Sequence, residues 1–167
     1  MINIEPASAK LVRRIIDIFT EQYGFTKTIE GQWFYNTKES KLFLLSTPVD
    51  SLPLEELRIN SIGMYVGEIN TAQTEIRLSI EGSQIIGPCA TKRVLTLTNE
   101  EFAKWVRGLE ILVNDSLLQR VDEEKGYLLI KNSQNDYFGV ARIKNEYLLN
   151  FVTKARWVKG HIDDAHE

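Results

Sequence analysis

A catalytic nucleophile needs a base within reach and a fold that holds its substrate, and few residues of this chain can supply either. There is a single cysteine, Cys89, preceded by Pro88, and both histidines, His161 and His166, stand in the C-terminal tail. A lone cysteine cannot form an internal disulfide, and these three residues have no spacing suited to zinc. The Gly63-x-x-x-Gly67 pattern lies in a strand-like segment, whereas a phosphate loop needs backbone amides converging on a helix N-terminus, so a bend or bulge is expected there. The acidic pairs Glu55-Glu56 and Glu123-Glu124 are adjacent in sequence and fit solvated loops better than one shared site. The chain therefore reads as not an enzyme, with no catalytic residue, no metal and no cofactor expected.

Positive charge is the remaining chemistry. Lys92 and Arg93 open the second half, Lys104 and Arg107 come in mid-course, and Lys154, Arg156 and Lys159 stand near the end. The formal net charge of −3 argues against a protein that coats nucleic acid indiscriminately, because phosphate affinity grows with the number of cations on the backbone. A local basic face is compatible with that balance.

Periodicity and punctuation define the secondary structure that carries these residues. Residues 8 to 22 predict an amphipathic helix, with Ser8 as N-cap, the stripe Leu11, Val12, Ile15, Ile18 and Phe19, Arg13 and Arg14 toward solvent, and Gly24 as the stop. Gln32–Tyr35 and Lys41–Ser46 predict a hairpin, in which alternation sends Phe34 to the face opposite Trp33 and Tyr35. Pro48 and Pro53 then break any regular element. Ile62–Ile69 and Thr74–Ile80 predict two more strands, and Gly82 to Thr91 an irregular stretch broken at Gly87-Pro88. Arg93–Leu97 predicts a strand, and Thr98-Asn-Glu-Glu101 is a capping box for a helix ending at Arg107-Gly108. Gly126–Lys131 and Tyr137–Ile143, joined by the polar Asn132–Asp136, predict a second hairpin. A last strand is expected near Ala155–Val158.

The 167 residues, 43% hydrophobic and 10% aromatic, suffice for one domain or two small packed ones. No apolar run is long enough for a bilayer, and the N-terminus has no basic-then-apolar leader, so a soluble, cytoplasmic protein with no membrane partner is expected.

The order Arg93–Leu97, capped helix, Val106-Arg-Gly108, Lys125–Ile130, Tyr137–Val140 and Leu148–Arg156 resembles a PUA domain. It is most similar to the PUA module at the C-terminus of Sun-family 5-methylcytosine RNA methyltransferases. Upstream, Ile62–Ile69 is similar to the segment joining the catalytic and PUA parts of that family, and to the N-terminal half of small PUA-containing factors of large-subunit ribosome assembly. Two positions depart from the pattern: Leu149 stands where a lysine is usual, and Ala141 where a second glycine is common. The family's catalytic domain uses a Pro-Cys motif, but with a second cysteine and a methyl-donor fold that this chain lacks. Cys89 is accordingly expected to be a small, partly buried apolar residue.

The chain thus reads as α+β, with an N-terminal α/β module over residues 1–90 that ends just after the Gly87-Pro88 break and a tail over 161–167 that is expected to be flexible; the resemblance makes residues 91–160 a small PUA-like β-barrel. In that barrel the lone helix and the last strand are neighbours and pool their cations into one strip. Lys92, Arg93, Lys104, Arg107, Lys154 and Arg156 then contact phosphates, Gly108 and Gly126 shape the backbone at the RNA surface, and Asn150 hydrogen-bonds to sugar or base. The implied partner is structured RNA, ribosomal or transfer, in ribosome biogenesis or RNA modification. The alternative role is an interaction subunit that docks through its N-terminal half on an RNA-modifying enzyme or a ribosome-assembly factor.

Overall fold

The computed structural model describes residues 3–46 and 61–159. The breakers Pro48 and Pro53, the pair Glu55-Glu56 and the tail 161–167 lie outside them. Among the described residues, no helix is long and apolar enough to cross a membrane.

Helix α1 (Ala9–Tyr23) begins where the Ser8 hydroxyl accepts the Leu11 N–H at 3.1 Å and ends at Gly24, whose φ of 62° releases the chain in the left-handed conformation. Its stripe buries Ile15, Ile18 and Phe19 completely, and Gln22 and Tyr23 join them. This helix covers an antiparallel sheet in the order β1 (Ile4–Pro6), β2 (Gln32–Asn36), β3 (Lys41–Leu45), β4 (Met64–Ile69) and β5 (Ile76–Leu78). Trp33 packs toward α1, and Phe34 packs on the opposite face with Ile4 and Phe43. The predicted alternation holds, and both faces are covered. The β3–β4 register slips between Leu42 and Phe43, opposite the stretch from Tyr65 to Gly67, which is the irregularity expected of the two glycines.

Gln22 ties the helix to the sheet edge. Its side-chain oxygen accepts the Ile76 N–H at 3.1 Å, and its amide nitrogen donates to the Ile76 carbonyl at 3.3 Å, in a buried setting. Replacing it with leucine keeps the bulk but strands a buried N–H. We expect a stability loss of about 1–3 kcal/mol in urea unfolding, the usual cost of an orphaned buried donor.

Beyond β5 the structure corrects two expectations. The strand predicted through Ile80 stops at Leu78, because the Ser79 hydroxyl accepts the Gly82 N–H and opens helix α2 (Ile80–Ile86). The stretch expected to be irregular is thus helical, with a 3-10 turn after it at Gly87–Cys89. Cys89 is exposed rather than partly buried.

The second sheet runs in the order β6 (Val94–Thr96), β7 (Leu128–Lys131), β8 (Tyr137–Lys144) and β9 (Tyr147–Asn150), with β6 and β7 parallel. Among the described residues its outer strands β6 and β9 do not pair, so the sheet is open and the expected closed barrel is not found. Between β6 and β7 comes the predicted helix, α3 (Asn99–Val106), and then a short helix α4 (Asp115–Leu118), capped by Asn114, in a segment with no predicted element. The strand expected near Ala155–Val158 is a 3-10 turn over Lys154–Arg156, and the last strand is β9.

Both faces of this sheet are buried, which is why β7 reads as a continuous apolar run. Leu95, Leu128, Ile130, Ala141 and Leu148 face one apolar cluster, and Leu129, Val140 and Phe151 face another. The second cluster also contains Ile15, Phe19, Tyr23 and Trp33, so one core joins the two halves of the chain. Tyr137 and Val140 share a face although three residues apart, because Gly139, at φ 86°, adds a bulge. The Gly139 N–H freed there donates to the buried Ser83 hydroxyl of α2 at 2.9 Å.

Candidate nucleic-acid interface

Helix α3 carries Lys104 and ends beside Arg107, and its start is fixed by charge. The Thr98 hydroxyl accepts the Glu101 N–H at 3.2 Å, and the Glu101 carboxylate accepts the Thr98 N–H at 3.1 Å, so the capping box is complete. Arg120 then grips both oxygens of Glu101, at 2.7 and 3.0 Å, and donates to the Thr96 carbonyl. Burial alone would push the Glu101 carboxyl up, but the hydrogen bonds from Arg120 and Thr98 outweigh it and hold the group below its ordinary value of 4.5. A lowered folded value means that stability is fully present above the unfolded value and is lost as pH falls through the folded one. Acid unfolding of Glu101→Gln, monitored below pH 4.5, is expected to have a shallower acid limb than wild type.

The far end of α3 is where the helix meets the C-terminal segment. Trp105, fully buried, donates its indole N–H to the Phe138 carbonyl at 2.8 Å. Its own carbonyl accepts the Asn150 side-chain N–H at 3.0 Å, and Asn150 also accepts the Val152 N–H at 2.8 Å. The Val158 N–H donates to the Val106 carbonyl at 2.7 Å. Gly108, at φ 67°, lies against the Trp157 ring, and any side chain there would overlap that ring. The expected neighbourhood of helix and chain end is therefore present, with a 3-10 turn in place of a strand.

This meeting puts the stretches of chain that carry Lys104, Arg107 and Gly108 beside those that carry Asn150 and Lys154. Lys104, Arg107 and Lys154 are exposed. Lys104 lies 4.0 Å from Glu100, and the Lys154 ammonium sits 6.0 Å over the Trp157 ring. Arg107 and Lys154 have no carboxylate within 4.0 Å among the described residues, and Lys92 is in the same position, half-buried beside the end of α1.

The remaining residues have other work. Arg93, at φ 56°, donates its backbone N–H to the Asp122 carboxylate at 3.0 Å and pairs with Glu123 at 2.9 and 3.1 Å. Gly126 lies against the Arg93 guanidinium, so its missing side chain makes room for that pair. Arg156 pairs with Glu81 of α2 at 2.8 Å. Asn150 has both ends of its amide engaged as a latch. Trp157 is the member of this region that residue spacing did not single out. Its signal in the sequence is an aromatic ring among Lys154, Arg156 and Lys159, the interleaving that single-strand binders use.

No protein-family model matches the sequence, and no curated protein matches it. Among solved structures, the chain is similar to a conserved PUA domain protein from Thermoplasma acidophilum, with a TM-score of 0.56 and 12% sequence identity. The match covers 89% of this chain and 93% of that one. At this identity the likeness concerns backbone architecture, and it extends across both sheets: this is an α+β chain with a PUA-like fold.

Proposed function

We propose that the protein is a non-catalytic RNA-binding factor that grips structured RNA at the junction of α3 with the 150–158 segment. The observation that carries this reading is that Gly108, next to Arg107, packs on the Trp157 ring over which Lys154 sits, in a PUA-like fold, with Arg107 and Lys154 both exposed and unanswered by a carboxylate within 4.0 Å among the described residues. Cations without internal partners are free to take phosphates, and a half-buried indole offers a face to a sugar or base. Arg93 and Arg156 contribute less, because Glu123 and Glu81 already neutralise them. Ribosomal or transfer RNA, in ribosome assembly or RNA modification, is the target class we infer from the sequence resemblance.

The test is a titration of folded transfer RNA and ribosomal RNA fragments against wild type and an Arg107→Glu/Lys154→Glu variant across a salt series. Salt-sensitive binding that the variant loses supports the reading. Binding that is equal and insensitive to salt overturns it. No RNA affinity together with intact capture of a purified RNA methyltransferase would favour the interaction-subunit role instead.

A further inference from the structure

Asn150 and Phe151 are consecutive in an extended chain, so they face opposite sides. Asn150 goes to α3. Phe151 goes to the other side, into a cleft between the C-terminal segment and the edge of the first sheet. The cleft has a volume of about 290 Å³, just under the range of about 300–1,000 Å³ typical of small-ligand pockets.

Its walls combine three kinds of group. Tyr65 and Phe151 supply aromatic surface, with Leu78, Ile80 and Val152 as apolar floor. Cations lie near the rings: the Arg77 guanidinium is 5.6 Å from the Phe151 centroid, and the Lys41 ammonium is 5.9 Å from that of Tyr65. Carboxylates answer each of these cations, Glu68 on Arg77, Glu81 on Arg156 and Glu39 on Lys41. Burial, and then the Glu68 charge, push the Tyr65 phenol up, so its ring is neutral throughout the physiological range.

Few ligands use all three. A simple anion would meet Glu68 and Glu81, a simple cation would meet Arg77, Arg156 and Lys41, and a hydrocarbon would use none of the rim charges. A nucleotide whose base carries an exocyclic amine fits each group. The base lies on the rings, the amine donates to a carboxylate, and the phosphate faces the cations. The three ion pairs are partly exposed, with side-chain exposures of 31–55%, and pairs in that setting are weak enough to exchange partners.

We infer that this cleft holds one unpaired, amine-bearing nucleotide of the RNA gripped at the α3 end, an inference that rests on the RNA-binding reading. Arg156 stands between Lys154 and Trp157 in sequence and lines the cleft, so the 150–158 segment contributes residues to both sites.

The experiment uses the full chain and two probes that differ at one base position, cytidine 5′-monophosphate and uridine 5′-monophosphate. Ring resonances of Tyr65 and Phe151 are monitored by NMR. We expect both rings to respond to the cytidine nucleotide, with the uridine nucleotide about tenfold weaker, roughly the worth of one base-edge hydrogen-bonded contact. Glu68→Gln/Glu81→Gln should reduce that preference to within about twofold, since an amide presents donors as well as an acceptor. Phe151→Leu, which keeps the apolar bulk, should remove the response. Equal responses to the two nucleotides, no response of either ring, or a preference that survives the double substitution would overturn the inference. Folded RNA is titrated in parallel. If RNA binds and the Arg107→Glu/Lys154→Glu variant loses it while the cytidine nucleotide is ignored, the cleft assignment fails and the RNA reading stands. If the cytidine nucleotide binds but no RNA does, the RNA reading fails and with it the assignment of the cleft to RNA.

Discussion

With Arg107 and Lys154 both changed to glutamate, a folded RNA that binds the wild-type chain is expected to bind roughly a hundredfold more weakly at physiological salt, about one order of magnitude for each reversed cation. The slope of log affinity against log salt should become shallower by about two, one unit for each phosphate contact removed. Both side chains are exposed, and neither has a carboxylate within 4.0 Å among the described residues. Their loss strands nothing inside the protein, so folding stability should stay within about 0.5 kcal/mol of wild type. Arg156 is left in place because removing it would leave Glu81 facing the cleft alone. Arg93→Gln is the matching control. Its charge is already spent on Glu123, so it should lower stability while leaving the salt slope unchanged. If Arg93→Gln flattens the slope as much as the double reversal does, the phosphate contacts lie elsewhere.

Trp105→Ala is expected to lower stability by about 3–5 kcal/mol, the range for truncating a buried large aromatic residue. For a chain of this size that corresponds to a fall in Tm of roughly 10 °C. Trp105 is buried to 1% exposure and is the largest fully buried side chain of the cluster that holds Leu95, Leu128, Ile130, Ala141 and Leu148. Its indole N–H satisfies the Phe138 carbonyl next to the Gly139 bulge, and its main-chain carbonyl receives Asn150. Removing the ring takes away apolar contact on the α3 face of the second sheet and leaves a buried carbonyl without its donor. Trp105→Phe separates these effects. It should recover most of the packing but not the hydrogen bond, leaving a deficit of about 1–3 kcal/mol. Thermal and urea unfolding of both variants measure the two parts. RNA affinity measured well below the Tm tests whether the α3 end is positioned by this residue: Trp105→Ala should weaken binding even though no cation has been touched.

Much of the local structure could be read from the chain because its determinants lie within a few residues of one another. Ser8 and Gly24 bound the first helix, Thr98 and Glu101 cap the third, and Asn132–Asp136 turns the β7–β8 hairpin, each through contacts spanning no more than one turn of chain. The alternation of Trp33 and Phe34 was also legible, since successive residues of a strand face opposite sides whatever they meet there. The exposure of those faces was not, because it depends on what covers them. The α2 helix was missed where Ile76, Leu78 and Ile80 continued a strand pattern across Ser79, a residue whose hydroxyl serves equally in a turn or as a cap.

The candidate site divides along the same line. Residue identities and spacing were enough to say which side chains carry charge and that a capped helix and a glycine precede the second hairpin. Which cations are available was settled by tertiary packing. Arg93 meets Glu123, Arg156 meets Glu81 and Asn150 meets Trp105 across separations of 30, 75 and 45 residues. The same long-range packing left the second sheet open among the described residues and set the 151–156 segment beside the edge of the first sheet to form the cleft. Interactions within a turn are set by backbone geometry that neighbouring residues share. Pairings between distant segments depend on how two sheets pack, and that is a property of the whole core.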